Sequence, residues 1–184
     1  MGQLLDRMIR AARLDAKIYT EVEADVNATR QALLIVLLYS ICSGIGFGFA
    51  DLLTLGTEYF FIRMFTVLVG ALVFWLLWSL ITYFIGTRLF KGPETQSNYG
   101  ELLRTIGFAA TPGIFIIFVF IPYIGGFIYF VVWVWMLIAM VIAVRQALDF
   151  TTGRAIGTVL VGGIIYLAIA LIIGILGLGI YGVS

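Results

Sequence analysis

Four long stretches of this sequence carry no charged side chain, and they constrain the fold more than any other feature. Residues 31–50, 64–87, 105–144 and 155–184 contain 20, 24, 40 and 30 residues, with no Asp, Glu, Lys or Arg among them. About 20 apolar residues are enough for an α-helix to cross the hydrocarbon core of a bilayer. Charged residues make up 11% of the chain, whereas a soluble domain carries about 25%. The sequence therefore predicts an integral membrane protein.

The 40-residue stretch is interrupted by Pro112 and by the turn sequence at 122–126, which divide it into two spans. None of the stretches shows the two-residue alternation of a membrane β-barrel. We therefore predict an all-α fold with five transmembrane helices. The spans are placed at about 31–50, 64–87, 105–121, 123–145 and 155–182, within a membrane domain of residues 31–184.

The distribution of basic residues predicts the orientation of these spans. When the loops are assigned to alternate sides, ten of the eleven Lys and Arg residues fall on one side and Arg63 alone on the other. Cytoplasmic loops are enriched in Lys and Arg, so the N-terminus is expected in the cytoplasm and the C-terminus outside. The net charge of +1 gives no reason to expect nucleic-acid binding.

Residues 1–30 precede the first span and form a cytoplasmic or interfacial segment. Apolar residues recur at spacings of three or four over 3–28, which predicts one amphipathic helix; these are Leu5, Met8, Ala12, Ala16, Tyr19, Val22 and Val26. Such a helix either lies in the headgroup plane or docks on the helix bundle or a partner.

The entry to the third span carries two local signals. Asn98 followed by Glu101 approximates a capping box, so a helix is expected to begin there. Pro112 lies about fourteen residues further on and, because it lacks a backbone N–H, it is expected to kink the helix near Ala109. This kink is interpreted as a turn from the interface into the membrane, with a functional hinge as the alternative.

Small residues form ridges that let helices approach closely. Candidate packing positions are Ser40, Gly44 and Gly48 in the first span and Gly153 and Gly157 at the start of the fifth. The ridges fit packing within the monomer or, alternatively, a homo-oligomer contact.

Residue types that support catalysis or cofactor binding are scarce. The chain has no His, and its one Cys, Cys42, lies within the first span. No charged residue is expected at mid-membrane depth, where ion-coupled transporters usually need one. We therefore expect no enzymatic activity, no metal and no cofactor.

Five charged residues are predicted to gather at the cytoplasmic ends of the spans: Glu101, Arg104, Arg145, Asp149 and Arg154. Arg145 and Asp149 are four positions apart and could pair on one helix face. The group either sets the topology or forms a docking surface for a partner or an anionic headgroup.

Four local patterns lie between about residues 60 and 180. They are Tyr99-Gly-Glu-Leu-Leu-Arg-Thr-Ile-Gly-Phe-Ala-Ala-Thr-Pro112, Trp133 and Trp135 in the fourth span, Ala143-Val-Arg-Gln-Ala-Leu148, and Thr152-Gly-Arg-Ala155. Together they resemble the Yip domain family, the Ypt/Rab-interacting five-span membrane proteins. The short N-terminal segment favours a compact prokaryotic member in the plasma (inner) membrane.

Three functions fit these observations. The first is a non-enzymatic scaffold or adaptor of Yip-like type that organises membrane or recruits membrane-protein partners. The second is an accessory subunit of a larger respiratory or photosynthetic complex, contacted through aromatic residues of the third and fourth spans. The third is passage of lipid or a small solute between the helices.

Overall fold

The computed structural model describes residues 2–92, 95 and 97–181, and every regular element in these residues is helical. Seven α-helices follow one another: α1 Gly2–Ala12, α2 Ala16–Ala24, α3 Ala28–Thr54, α4 Thr57–Phe84, α5 Tyr99–Ala109, α6 Gly125–Ala147 and α7 Thr152–Tyr181. A π-helical turn, Ile85–Leu89, continues α4, and a 3-10 helix, Thr111–Phe120, continues α5.

Five of the helical segments in the described residues are long and apolar enough to cross a membrane, which confirms the predicted all-α, five-span fold. They are Ala28–Thr54, Thr57–Leu89, Tyr99–Phe120, Gly125–Ala147 and Thr152–Ile169. Several helices begin earlier than the predicted spans. The second spanning helix therefore includes Arg63, whose Nε donates to Asp51 Oδ2 at 2.7 Å. The predicted end of the fifth span, residue 182, lies outside the described residues.

The N-terminal segment is not the single amphipathic helix predicted over 3–28. It consists of α1 and α2, which we call the N-terminal hairpin. Leu14 has a φ of 62°, a left-handed conformation that an α-helix cannot continue through. Asp15 then caps α2, because its side chain accepts a hydrogen bond from the Lys17 backbone N–H at 3.0 Å. The apolar residues keep their spacing of three or four positions across this turn, so the spacing alone did not reveal it.

The third span is α-helical in its first half and 3-10 helical in its second. The capping box predicted at Asn98 and Glu101 is confirmed, with both of its reciprocal hydrogen bonds present. The α-helix ends at Ala109, and Pro112 lies at the start of the 3-10 helix. A 3-10 helix rises about 2.0 Å per residue against about 1.5 Å in an α-helix. Its ten residues therefore cover about 20 Å, which lets a short apolar sequence reach across the bilayer.

The centre of the bundle is built around α3. It packs between α4 and the 3-10 helix, and small residues permit the approach. A methyl group on Gly46 would overlap the Ile116 carbonyl oxygen. Aromatic side chains of the fourth span instead point outward, among them Phe127 and Phe130, which are 70% and 60% exposed.

Candidate functional site

The candidate site is the end of the bundle that carries most of the basic residues, where the N-terminal hairpin docks. We call it the basic end. Arg7 closes the hairpin, because its side chain is 3% exposed and donates to three groups. Its Nε donates to Glu21, and its Nη1 donates to Asp25 and Gln31, each at 2.9 Å. This guanidinium therefore ties α1 to α2 and to the start of α3.

The carboxylates around Arg7 are stabilised in their charged form. A hydrogen bond from Arg10, together with one from Arg7, lowers the pKa of the Glu21 carboxyl below its ordinary value. A hydrogen bond from Arg7 lowers the pKa of Asp25 in the same way. The ion pairs that hold the hairpin together consequently persist at neutral pH.

Arg104 fixes the end of α2 to the bundle. Its Nε donates to the carbonyl oxygens of Val22 and Glu23 at 3.0 and 3.2 Å, and its Nη2 also donates to Glu23 O. The last carbonyl groups of a helix lack partners within the helix and attract cations. Arg104 was predicted to belong to a docking surface, but it is 6% exposed and its guanidinium is used inside the molecule.

The hairpin lies along α6. Near the end of α6, Gln146 Nε2 donates to Thr20 Oγ1 at 3.1 Å. Further into the helix, Trp135 Nε1 donates to the Ala12 carbonyl at 2.8 Å. Trp135 precedes the last residue of α6, Ala147, by 12 positions, which is about 18 Å of helix. The hairpin therefore docks on the bundle along half the length of α6. The sequence alone left open whether this segment lies in the headgroup plane or docks on the helix bundle, and in the structure it docks on the bundle.

Glu23 is influenced by the charge of two of the predicted site residues. Its carboxyl is half-buried, and the carboxylates of Glu101 in α5 and Asp149 in the α6–α7 connection repel it electrostatically. Burial, with repulsion from these two carboxylates, raises the pKa of Glu23 to about 7, and Arg104 opposes the shift. Glu23 is consequently poised to change charge near neutral pH.

The predicted pair of Arg145 and Asp149 does not form. The helix ends at Ala147, and Asp149 has a φ of 50°, so the two residues do not share a helix face. Arg145 instead donates to Gln146 Oε1 at 3.3 Å. Arg154 Nη1 lies beside Gly92. Arg104 is buried and Arg145 does not pair with Asp149, so a docking surface formed by all five residues stays a prediction.

Two of the three small residues singled out in the first span, Gly44 and Gly48, face α4 within the same chain. Ser40 is buried and donates to the Leu37 carbonyl of its own helix. A methyl group on Gly44 would lie 3.3 Å from Met64 Cα, and one on Gly48 would lie 2.9 Å from the Phe60 ring. In the fifth span, a methyl group on Gly157 would lie 3.2 Å from the Phe90 ring, whereas one on Gly153 meets no described atom within 4 Å.

The outward side of the hairpin remains accessible. Leu5 and Ile9 lie one turn apart on α1 and are 60% and 45% exposed. We call this pair the hairpin strip. Arg13 and Lys17, near the hairpin turn, are also exposed. The surface places an apolar patch near positive charge, a combination found both at protein interfaces that use Arg and at anionic membrane surfaces.

Sequence reasoning missed the contacts of Arg7 and Trp135 and the environment of Glu23. One signal for Arg7 was available. It follows Leu4 by three positions and precedes Ala11 by four, on the face of α1 that packs inward. Glu23 and Trp135 offered no such signal, because their partners lie on other elements.

The described residues offer no site for a metal ion, since they contain no suitably placed group of three or more Cys, Asp or Glu side chains. Cys42 is buried within α3. Burial and packing therefore account for this thiol in the described structure.

Comparison with known proteins gives one match. The family model described as the Yip1 domain matches residues 17–180. The match covers α2 from its second residue and all five spans, and it includes the contacts of Arg104 and Gln146 with α2 but not Arg7 or Ala12 of α1. No curated protein and no solved structure matches the chain significantly.

Proposed function

The chain belongs to the Yip1 domain family, and from this membership we propose that it is a non-enzymatic scaffold or adaptor that recruits a partner protein at its basic end. It is an integral, multi-pass membrane protein. We propose further that it lies in a prokaryotic plasma (inner) membrane with the basic end in the cytoplasm, since ten of its eleven Lys and Arg residues lie on that side of the predicted topology.

The observation that carries this proposal is the docked hairpin. Ile18, Tyr19 and Val22 are fully buried against the bundle, so α2 is not a lipid anchor. The hairpin is instead a fixed part of the protein, held by Arg7, Arg104 and Trp135. A rigidly presented surface loses little conformational entropy on binding. The hairpin strip is therefore the proposed contact for a partner.

The test compares substitutions on and off the hairpin strip. The double variant Leu5→Ser and Ile9→Ser removes the apolar contact while leaving Arg7 and the buried face of α1 intact. Val26→Ser is the matched control, because Val26 is 74% exposed and lies outside the strip. Each variant is purified in mild detergent from native membranes after chemical cross-linking, and the recovered proteins are quantified by mass spectrometry.

We expect a protein recovered in stoichiometric amount with the wild type and with V26S to be lost with the double variant. The thermal unfolding midpoint should remain unchanged, because both substituted side chains are exposed. Equal recovery with all three proteins would exclude the hairpin strip as the contact. Purification of the wild type with no cross-linked partner would contradict the adaptor function itself.

A further inference from the structure

A second feature of the basic end lies where α4 continues into its π-helical turn, and no hairpin residue lines it. A cavity of about 410 Å³ opens there. Its lining combines two cationic side chains with four hydroxyl groups; these are Arg88, Lys91, Tyr83, Thr87, Thr95 and Ser97. We call it the basic cup. The π-helical turn widens the backbone at this point, and such turns are frequent at functional sites.

The wall of the basic cup is held in place by neighbouring contacts. The Gly92 backbone N–H donates to Thr95 Oγ1 at 2.9 Å, and the Thr95 N–H donates back to Gly92 O at 3.3 Å. Phe90 packs closely against Gly157 of α7. Because Thr95 accepts through its oxygen, its hydroxyl proton remains available to a ligand.

Three cations surround this turn. Arg88 and Lys91 line the cup, and Arg154 lies so close to Gly92 that a methyl group there would overlap its Nη1. Every salt bridge among the described residues is formed by Arg7, Arg10 or Arg63. Within that part of the chain, no carboxylate lies within 4 Å of the three cations to neutralise them.

The surroundings of the cup indicate what kind of anion it takes. Phe84 and Leu89 flank it on the same segment and are 52% and 65% exposed. Both side chains lie near the end of the second spanning segment, Thr57–Leu89, where exposed apolar side chains meet acyl chains and neighbouring cations reach the headgroup level. Basic pockets in such positions bind anionic lipid headgroups. A soluble phosphate compound would use the charges but not the apolar flank.

We propose that the basic cup binds the phosphate headgroup of an anionic phospholipid. Arg88 and Lys91 supply charge-assisted hydrogen bonds to the phosphate oxygens, and the Thr95 hydroxyl donates a further one. The acyl chains lie over Phe84 and Leu89. This site is independent of the hairpin strip and of the proposed adaptor function.

The test uses the full-length protein in mild detergent with short-chain phosphatidylglycerol as the probe and phosphatidylcholine of the same chain length for comparison. Bound lipid is measured by native mass spectrometry. The variant Arg88→Gln with Lys91→Gln removes two charges from the cup. Arg13→Gln with Lys17→Gln is the matched control, since it removes two exposed charges from the hairpin.

We expect the cup variant to bind phosphatidylglycerol about 10- to 30-fold more weakly than the wild type, and the control to remain within about twofold. The single variant Lys91→Gln, at an exposed position, should show a smaller loss and decides the matter if the double variant does not fold. Equal affinity in all variants, or equal loss in both double variants, would overturn the site. Displacement of the lipid by inorganic phosphate at millimolar concentration would overturn the lipid as its ligand and leave a small-anion site.

Discussion

At the scale of single residues, buried arginines determine where the N-terminal hairpin lies. Arg7 and Arg104 are 3% and 6% exposed. A buried charge is costly unless hydrogen bonds satisfy it. Arg7 meets this requirement with two carboxylates and an amide, whereas Arg104 uses backbone carbonyl groups at the end of α2. Displacing the hairpin would break the contacts of Arg104 with the end of α2 and the contact of Arg7 with Gln31 of α3, so these contacts specify one docked position.

The charge of Glu23 makes this docking dependent on pH. The pKa of Glu23 is about 7 in the folded protein, against an ordinary value of 4.5. A carboxyl with a raised pKa in the folded state contributes stability that is complete below pH 4.5 and is lost as the pH rises through 7. We therefore expect the hairpin to bind less tightly at pH 8 than at pH 5.

The variant Glu23→Gln checks this expectation, because glutamine mimics the protonated side chain. Hydrogen exchange at the α2 backbone amides should be equal in wild type and variant at pH 5, and faster in the wild type at pH 8. Comparing the two proteins at the same pH removes the intrinsic dependence of exchange on pH. A ratio that stays constant between the two pH values would show that Glu23 does not control docking.

At the scale of helices, the close contact between α3 and the 3-10 helix depends on backbone approach. Gly46 faces the Ile116 carbonyl oxygen and the Ile117 Cα. A side chain at this position would have to displace backbone, which cannot move as freely as a side chain. The 3-10 helix is therefore held against α3 by shape, in addition to its apolar character.

Two glycine substitutions test this packing. Gly46→Ala should destabilise the protein by about 1–3 kcal/mol, because it overpacks a fixed contact. Gly70→Ala, within α4, is the matched control, since a methyl group there meets no described atom within 4 Å. Replacing glycine inside an open helix face changes stability by less than about 1 kcal/mol, in the favourable direction. Thermal unfolding of both variants in the same detergent gives the comparison, and a similar stability for the two would refute the contact.

At the scale of the whole molecule, the basic residues predict one orientation in the membrane. Ala24, at the end of α2, and Glu58, in the first turn of α4, are both exposed and lie at opposite ends of the first span. In a Cys42→Ser background, Ala24→Cys and Glu58→Cys report on the two sides. We expect a membrane-impermeant maleimide to label E58C in intact cells and A24C only in inverted vesicles. The reverse pattern would overturn the predicted orientation.

Features that depend on residues close together in the sequence were predictable, whereas contacts between residues far apart in the sequence were not. The capping box at Asn98 depends on a residue three positions away, so sequence spacing was sufficient to predict it. The break at Leu14 depends on a single backbone conformation that interrupts an otherwise continuous apolar pattern. The contact of Arg104 with the end of α2 joins residues 82 positions apart, and the sequence carries no record of that proximity.

The sequence by itself determined that this is a five-span helical membrane protein, because uncharged stretches of spanning length leave a bilayer as their natural solvent. The tertiary structure decided where the polar residues go. It buried Arg104 against α2, separated Arg145 from Asp149, and gathered Arg88 and Lys91 around a cavity. Hydrophobicity is a property of each segment and can be read along the chain. The partner of a charged side chain is set by how helices pack, and packing is decided in three dimensions.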